Sequence, residues 1–444
     1  MARSKLLKLV SEDKKLTDTR NLNFAFLEVH RRSVSKKGHT RILFDGNSAP
    51  GMDLRMTSFI GHVPASKSIL NRALILQSFG PDFKIYGVSD SDDVVKMKAG
   101  IKALKDQAII DCGEGGTVLR FLALRASREK GRHKLTGSAR LINRPQEELV
   151  KILSQLGVTA KLEKNSLAIE SDGWRPQGDT LHVPSHRSSQ FASAVLLNAW
   201  ELPFDLYVSP VGAGVSEGYW RMTQKLVTDA GMKLDRWDHD FRIPARQTIS
   251  ATSLTVEPDM SSAFALAAAA AVGGSTTLLD FPVESLQPDS IFPNILQKMG
   301  VPIQFDCGQL KVQRAQFLRG VAVRLTNAPD LFPVLAALCA LAEGDSELYG
   351  APQLVHKESD RIARTAELLH VTGRTLTPLE DGLRVGGVLQ KTGKRSVFNP
   401  DRDHRLAMAA GVLKLAGIPI HIENPEVVNK SFAGFWQSAG IDPS

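Results

Sequence analysis

Ala65-Ser66-Lys67-Ser68-Ile69-Leu70-Asn71-Arg72 follows Pro64 and runs directly into the apolar stretch Ala73-Leu74-Ile75-Leu76. A polar loop with serines followed by apolar residues is a helix start. The first N–H groups of a helix have no partner inside it. With Lys67 and Arg72 beside them, and Ser66 and Ser68 as neutral donors, this opening can hold an anion such as a phosphate or a carboxylate. A serine that simply caps the helix accounts for the same residues, so the reading turns on what the rest of the chain repeats.

The same grammar returns five times. A polar or glycine-rich loop opens into an apolar run at Gly115, Ser188, Ser261, Asp330 and Asp403; counted from Ser66, these starts are 49, 73, 73, 69 and 73 residues apart. A second series marks helix ends followed by a strand. Gly157, Gly231, Gly300, Gly373 and Gly440 lie 74, 69, 73 and 67 residues apart, and glycine just past a helix is the residue that closes it in a left-handed conformation. Two series with one spacing predict an internally repeated α/β unit. Each unit opens a helix at the polar loop, adds short β-rich runs such as residues 206–209 and 276–279, and closes a second helix at glycine. Six units suggest two halves of three. The polar stretch 235–253 is the expected joint, and the strand before Pro64 is expected in the second half, with a second crossing at Pro64. A cleft between such halves collects helix openings, and anions with them.

Composition agrees with two or three soluble domains: 444 residues exceed one core, and 43% are apolar. The longest apolar candidate, residues 263–272, is too short to span a bilayer, so no membrane partner is expected. Cys112, Cys307 and Cys339 lie far apart with no metal-ligand spacing. That pattern predicts a reducing cytoplasmic location and no metal. The net charge of +8 fits nucleic acid or small anions. Much of the excess, however, sits in residues 1–55, at Arg3, Lys5, Lys8, Lys14, Lys15, Arg31, Arg32, Lys36 and Lys37. That segment reads as a disordered tail or as an upstream mis-start, with Met56 as a natural beginning; Glu12, Asp13 and Asp18 argue against a transit peptide. At 6% aromatic residues the chain is poor in base-stacking groups, and no nucleic-acid partner is expected. There is no Walker-type loop, which disfavours nucleotide-hydrolysing mechanisms.

The openings and the loops before them carry a basic set: Lys67, Arg72, Arg120, Arg144, Arg187, Lys357, Arg361, Arg405 and Lys430. Among these sit Asp330, Glu358, Asp360 and Asp403. Asp403 reads as a helix cap, and Asp330 as a cap or a base. Glu358 lies in an alternation of charges that suits either a solvated face or a base held among cations. A helix there would put Lys357 and Arg361 on one side. Ser188, Ser189, Gln190, Ser216 and Tyr219 add neutral donors.

Taken together, the chain resembles the enolpyruvyl transferases, and within them the EPSP synthases (3-phosphoshikimate 1-carboxyvinyltransferases), from about Pro64 to Ala439. The motifs, in the family's order, are Ala65-Ser66-Lys67-Ser68-x-x-Asn71-Arg72, Ser89-Asp90-Ser91-Asp92-Asp93, Gly116-Thr117 with Arg120, Arg144-Pro145, Ser188-Ser189-Gln190, Pro329-Asp330, Lys357-Glu358-x-Asp360-Arg361, Asp403-His404-Arg405 and Lys430. The resemblance implies a two-domain inside-out α/β fold, each domain of three repeated βαβαββ units, with the active site in the interdomain cleft. Domain I would be residues 66–253, and domain II residues 56–65 plus 254–444. It implies transfer of the enolpyruvyl group of phosphoenolpyruvate to the 5-hydroxyl of shikimate 3-phosphate, with release of phosphate, in the shikimate pathway of aromatic amino acid biosynthesis. It further implies a monomer without cofactor. Lys67, Gly116, Arg144, Gln190, Arg361, Arg405 and Lys430 would surround phosphoenolpyruvate. Ser68, Arg72, Ser188, Ser189, Gln190, Ser216, Tyr219, Asp330 and Lys357 would hold shikimate 3-phosphate. Asp330 and Glu358, helped by Lys67, would carry the proton transfers.

Three positions depart from the family's pattern. Glu114 and Gln353 stand where asparagine is usual, and Phe121 where many bacterial members have proline. A carboxylate at 114 is expected to weaken anion binding unless a cation pairs with it. Phe121 is expected to reshape the site for phosphonates such as glyphosate, while the retained Gly116 implies sensitivity to it. Competing readings are a UDP-N-acetylglucosamine enolpyruvyl transferase, whose usual loop cysteine between Arg120 and Arg144 is missing here, a diverged non-catalytic relative, and an RNA-processing protein of similar repeats.

Overall fold

The computed structural model describes residues 57–144, 146–212, 214–238, 240–390 and 395–444. The basic extension 1–55 and Met56 lie outside these residues.

The apolar openings become helices that are buried on every side. In the second half, Met260–Gly273, Phe332–Leu341 and His404–Leu415 pack on one another, and almost every residue in them is buried. A helix that is apolar all round has no face to give to water, so it belongs inside. The alanines at 263, 265 and 267–271 allow close approach, and a Cβ added at Gly273 would lie 3.3 Å from Leu415 Cδ2. Lys67–Phe79, Gly116–Ala126 and Gln190–Leu197 form the equivalent trio in the first half. Amphipathic helices and sheets surround each trio. In Glu147–Gln155, for example, the buried Leu149, Ile152 and Leu153 follow i, i+3, i+4 spacing. The result is two hydrophobic cores. One is built from residues between Ala65 and Val256; the other from Phe59, Val63 and residues between Met260 and Ile441.

Four units carry the same four-stranded sheet. In three of them the strands on either side of the buried helix form a parallel pair, in the fourth the parallel partner comes from the far end of the crossing, and an antiparallel hairpin completes each sheet. In the first half the orders are Ile110–Asp111, Gly131–Thr136, Ser166–Ser171, Thr159–Glu163 and then Leu181–Pro184, Leu206–Val211, Asp240–Ile243, Asp235–Trp237. In the second they are Thr57–Gly61, Gly274–Leu278, Gln309–Gln313, Ile303–Asp306 and Ala322–Arg324, Ser346–Tyr349, Gly382–Gly386, Thr375–Leu379. The other two units show only a parallel pair among the described residues: Lys84–Tyr86 with Ser253–Thr255, and Ser396–Phe398 with Ile420–Ile422. The first of these has no hairpin after the helix Asp92–Lys105, which is why its spacing to the next opening is the short one. Gly157, Gly231, Gly300, Gly373 and Gly440 all have φ between +63° and +111° just beyond helices, as their spacing predicted.

The two halves exchange their first strands. Thr57–Gly61 pairs with Gly274–Leu278 of the second half, and Ser253–Thr255 with Lys84–Tyr86 of the first. The chain therefore crosses twice, and the crossings are hydrogen-bonded to each other: Ser66 N donates to Glu257 O, and Asp259 N to Pro64 O, both at 2.9 Å. The stretch 235–253, expected to be the joint, instead supplies the hairpin Asp235–Trp237 and Asp240–Ile243. Phe241 and Ile243 alternate inward with Asp240 and Arg242, so its polarity belongs to a strand with one wet face. The change of core falls between Val256 and Met260.

Candidate active site

The helix openings of both halves face one cleft, and the sequence of each opening decides what it presents there. In the first half, Ser66 caps Lys67–Phe79, its Oγ accepting from Ile69 N. Gly116–Ala126 starts at Gly115 with no side-chain cap, which leaves free N–H groups beside Arg144, Arg120 and Gln190. A Cβ at Gly116 would lie 3.0 Å from Arg144 Nη1, 3.8 Å from Gln190 Oε1 and 3.9 Å from Arg120 Nη1.

The first-half arginines rest on neutral partners. Arg72 donates to Thr223 Oγ1 at 2.7 Å, to Ser68 O at 2.7 Å and to Tyr219 O at 3.5 Å, and its guanidinium lies 5.3 Å from the Phe121 ring centroid. Arg120 donates to Gln190 Oε1 at 2.7 Å, Gln146 Oε1 at 3.3 Å and Ser188 Oγ at 3.5 Å, over the Phe191 ring at 4.5 Å. Burial lowers both, Arg72 to about 10 and Arg120 to about 9; Arg144 adds to the effect on Arg120 and Glu358 opposes it. An anion arriving between them relieves that cost. Lys67 is different. Burial opposes its charge, but Asp93 at 3.0 Å and the nearby Glu358 outweigh burial and raise its pKa, so it is an ammonium at neutral pH.

The second half presents an ion-pair network. Arg361, 1% exposed, donates Nη1 to Asp330 Oδ1 at 2.8 Å, Nη2 to Glu358 Oε2 at 3.0 Å and Nε to Asp403 Oδ2 at 2.8 Å. Lys357 Nζ and Arg405 Nη2 reach Asp330 Oδ1 and Oδ2, each at 3.3 Å. Burial pushes the Asp330 and Glu358 pKa values up, yet the cations win and hold both well below the usual carboxylate range: Lys357, Arg405 and Arg361 for Asp330, and Arg361, Arg144 and Lys430 for Glu358. Asp403 caps His404–Leu415, accepting from Arg405 N at 3.0 Å. His404, buried with neither ring nitrogen bonded, is held neutral by burial and then by Arg405 and Lys67.

Contacts across the cleft join the halves. Tyr219 OH donates to Asp330 Oδ2 at 3.5 Å, Arg144 Nη2 lies 3.8 Å from Glu358 Oε2, and Gln353 Nε2 donates to Ser216 Oγ at 3.2 Å. Lys430 Nζ reaches Asp93 Oδ1 at 3.2 Å and Glu114 O at 3.1 Å.

The cleft wall contains Lys67, Ser68, Arg72, Gly116, Arg144, Ser188, Ser189, Gln190, Ser216, Tyr219, Asp330, Lys357, Glu358 and Arg361. Arg405 and Lys430 stand behind it, on Asp330 and Asp93. Lys357 and Arg361 do not share a helix: Pro352–His356 is a 3₁₀ turn, Lys357 is extended, and the helix begins at Arg361. They converge because both reach Asp330 Oδ1. Asp330 caps nothing, since a 3₁₀ turn intervenes before Phe332–Leu341 and its carboxylate is taken by cations. Glu358 is not on a solvated face; its side chain is 17% exposed. Glu114 does not line the cleft, and its carboxylate accepts from Arg402 Nη1 at 2.8 Å. Phe121 is buried under Arg72. Asp93, Thr117, His356 and His404 also line the cleft without having been given roles. Asp93 ends a quoted motif, but its two lysines lie far off in sequence, so only the fold brings the three together.

The family model described as EPSP synthase (3-phosphoshikimate 1-carboxyvinyltransferase) matches residues 54–438. The 3-phosphoshikimate 1-carboxyvinyltransferase of Methanobrevibacter smithii is 33% identical over 423 residues, covering 84% of this chain and 94% of that protein. That of Methanocorpusculum labreanum is 32% identical over 409 residues, covering 86% and 96%. Among solved structures, the EPSP synthase from Acinetobacter baumannii superposes with a TM-score of 0.67 at 22% identity, over 90% of this chain and 97% of that one. An enolpyruvyl transferase from Streptomyces tendae gives 0.65 at 14% identity. At these identities the structures speak for the fold alone.

Proposed function

This chain belongs to the EPSP synthase family, and from that premise we propose that it transfers the enolpyruvyl group of phosphoenolpyruvate to the 5-hydroxyl of shikimate 3-phosphate, releasing phosphate. The observation that carries the reading is the pairing of Asp330 and Glu358 on the single buried Arg361, while Arg72 and Arg120 in the same cleft donate to neutral partners. The cations hold both carboxylates ionised and ready to accept a proton, and arginines on neutral partners can pair with a polyanionic substrate.

In this reading Asp330 takes the proton of the 5-hydroxyl as its oxygen bonds to C2 of phosphoenolpyruvate. Glu358, beside Lys67, delivers a proton to the methylene carbon. Glu358 must first acquire that proton. A substrate dianion that neutralises Arg144 and Lys430 removes part of what depresses its pKa. Return of the methylene proton then expels phosphate from the tetrahedral intermediate, and Lys67, Arg144 and Arg361 stabilise the departing charge. Gly116, Arg144, Gln190, Arg405 and Lys430 hold phosphoenolpyruvate; Ser68, Arg72, Ser188, Ser189, Ser216, Tyr219 and Lys357 hold shikimate 3-phosphate. The body around the first core, from Ala65 to Val256, and the body around the second, from Phe59, Val63 and the residues between Met260 and Ile441, close on the substrates.

The test is phosphate release from phosphoenolpyruvate with shikimate 3-phosphate as acceptor, against UDP-N-acetylglucosamine as acceptor. Release with the first alone is expected. Release only with the second overturns the proposal.

A further inference from the structure

Beside the cleft, the loop between Ser396–Phe398 and His404–Leu415 places two consecutive non-glycine residues in the left-handed region, Asp401 at φ 52° and Arg402 at φ 59°. Neither residue type adopts that conformation without cost, and such strain persists only where surrounding contacts demand it. Both side chains reach the other half. Asp401 takes a bidentate contact from Arg140, Nη1 to Oδ1 at 2.8 Å and Nη2 to Oδ2 at 2.9 Å, and its carbonyl accepts from Nη1 at 3.0 Å. Arg402 Nη1 donates to Glu114 Oε1 at 2.8 Å. The loop is braced from its own side: Asp401 N donates to Asn399 Oδ1 at 2.8 Å, and Asp403 N to Pro400 O at 2.9 Å.

We propose that Arg402–Glu114 and Asp401–Arg140 form a clasp across the cleft, and that these four are positioning residues for the transfer reaction. Each stands a few residues from a group at the site. Glu114 precedes Gly116, and its own carbonyl accepts from Lys430; Arg140 precedes Arg144; Asp401 and Arg402 lead into Asp403, His404 and Arg405. Opening the halves breaks both ion pairs, and closing them brings the first-half cations to the second-half carboxylates. The side chains are partly exposed, 69% for Arg402, 30% for Glu114, 36% for Arg140 and 43% for Asp401, so the clasp is weak enough to open and is screened by salt. A Glu114 carboxylate beside an anion site is thereby turned into half of its closure.

The inference rests on the proposed transfer, and two readouts separate their failures. The first is steady-state kinetics of the full chain with phosphoenolpyruvate and shikimate 3-phosphate for Glu114→Gln, Arg402→Gln, the double variant and the exchange Glu114→Arg with Arg402→Glu. Each single change is expected to raise both KM values by up to about fivefold, the size of one exposed ion pair, with kcat nearly unchanged. The double variant should be no worse than either single one, and the exchange should recover part of the loss. Additive losses, or a fall in kcat with KM unchanged, overturn the clasp. The second readout is small-angle scattering of the protein without substrates, at low salt and at about 0.5 M salt, where screening is strong. The double variant should be more expanded at low salt and less responsive to salt than the wild type. If scattering differs but no turnover occurs, the clasp stands and the transfer reading falls; equal scattering overturns the clasp whatever the activity.

Discussion

The two halves build the same kind of helix opening and charge it in opposite ways. The first half caps with Ser66, leaves Gly116–Ala126 uncapped, and seats Arg72 and Arg120 on Thr223, Gln146 and Gln190. The second caps with Asp259 and Asp403 and ties Arg361 to three carboxylates. Among the described residues, the first half thus holds two buried arginines, Arg72 and Arg120, on neutral partners, while the second pairs its buried Arg361 with carboxylates. A repeated fold keeps the geometry of six openings, while single residues at each decide whether it waits for a ligand or works on one.

The largest expected effect isolates the second half's chemistry. Glu358→Gln keeps the shape and a hydrogen-bond acceptor for Arg361 but removes the titratable group, so kcat should fall by about 10²–10⁴, with thermal unfolding little changed. Near-normal turnover would remove Glu358 from the proton transfers.

Exchanging an arginine for methionine in each half breaks the comparison most directly. Arg361→Met leaves Asp330, Glu358 and Asp403 around an apolar side chain, and should destabilise the protein by about 3–5 kcal/mol. Arg120→Met leaves only neutral acceptors, and the methionine can pack on Phe191; a loss of no more than about 1–2 kcal/mol is expected. Yet Arg120→Met should raise the KM for substrate and reduce the stabilisation that saturating phosphoenolpyruvate gives the wild type. Similar stability losses in denaturant titrations of the two variants would erase the distinction between the halves.

The second half's excess of carboxylates predicts a pH effect. Burial first, then Asp330, raises the pKa of Asp289 from 3.8 to about 7. A carboxyl raised on folding contributes stability that is complete below its unfolded pKa and is lost as pH rises through its folded pKa. The wild type therefore gives up this contribution between 3.8 and about 7. Asp289→Asn should gain on the wild type across that window, on the order of 1–3 kcal/mol at its end, and no further above it. A constant difference at all pH values would show that Asp289 does not titrate there.

How much of this was legible in the sequence follows from what each feature depends on. The repeat was readable because helix starts and glycine closures are local: Ser66, Gly115 and Gly373 act through their immediate neighbours. The crossing was misplaced at 235–253 because a strand with one wet face and a linker have the same composition; only Phe241 and Ile243 mark the difference. Most site residues could be gathered from the openings, since a buried helix must start where its N–H groups find partners. The partners of those residues were not readable. That Asp93 holds both Lys67 and Lys430, or that Glu114 finds Arg402, depends on how helices and loops far apart in the chain pack together, which no local pattern records.

The smallest expected effect probes the uncapped opening alone. A methyl group at Gly116 would stand 3.0 Å from Arg144 Nη1, closer than ordinary contact, and would project toward Gln190 Oε1 and Arg120 Nη1. The atom it crowds is the far end of a flexible side chain, so Arg144 can yield by a few tenths of an ångström and the fold need not change. The N–H groups of the opening stay in place, but the arginine fork no longer sits squarely against an anion held there, and a bidentate contact is sensitive to such a shift. Gly116→Ala should therefore raise the KM for phosphoenolpyruvate severalfold, a loss of about 1 kcal/mol, and leave the KM for shikimate 3-phosphate and the unfolding temperature nearly unchanged. An equal rise in both KM values would mean that the opening serves both substrates, and that the division of labour among the first-half cations is drawn in the wrong place.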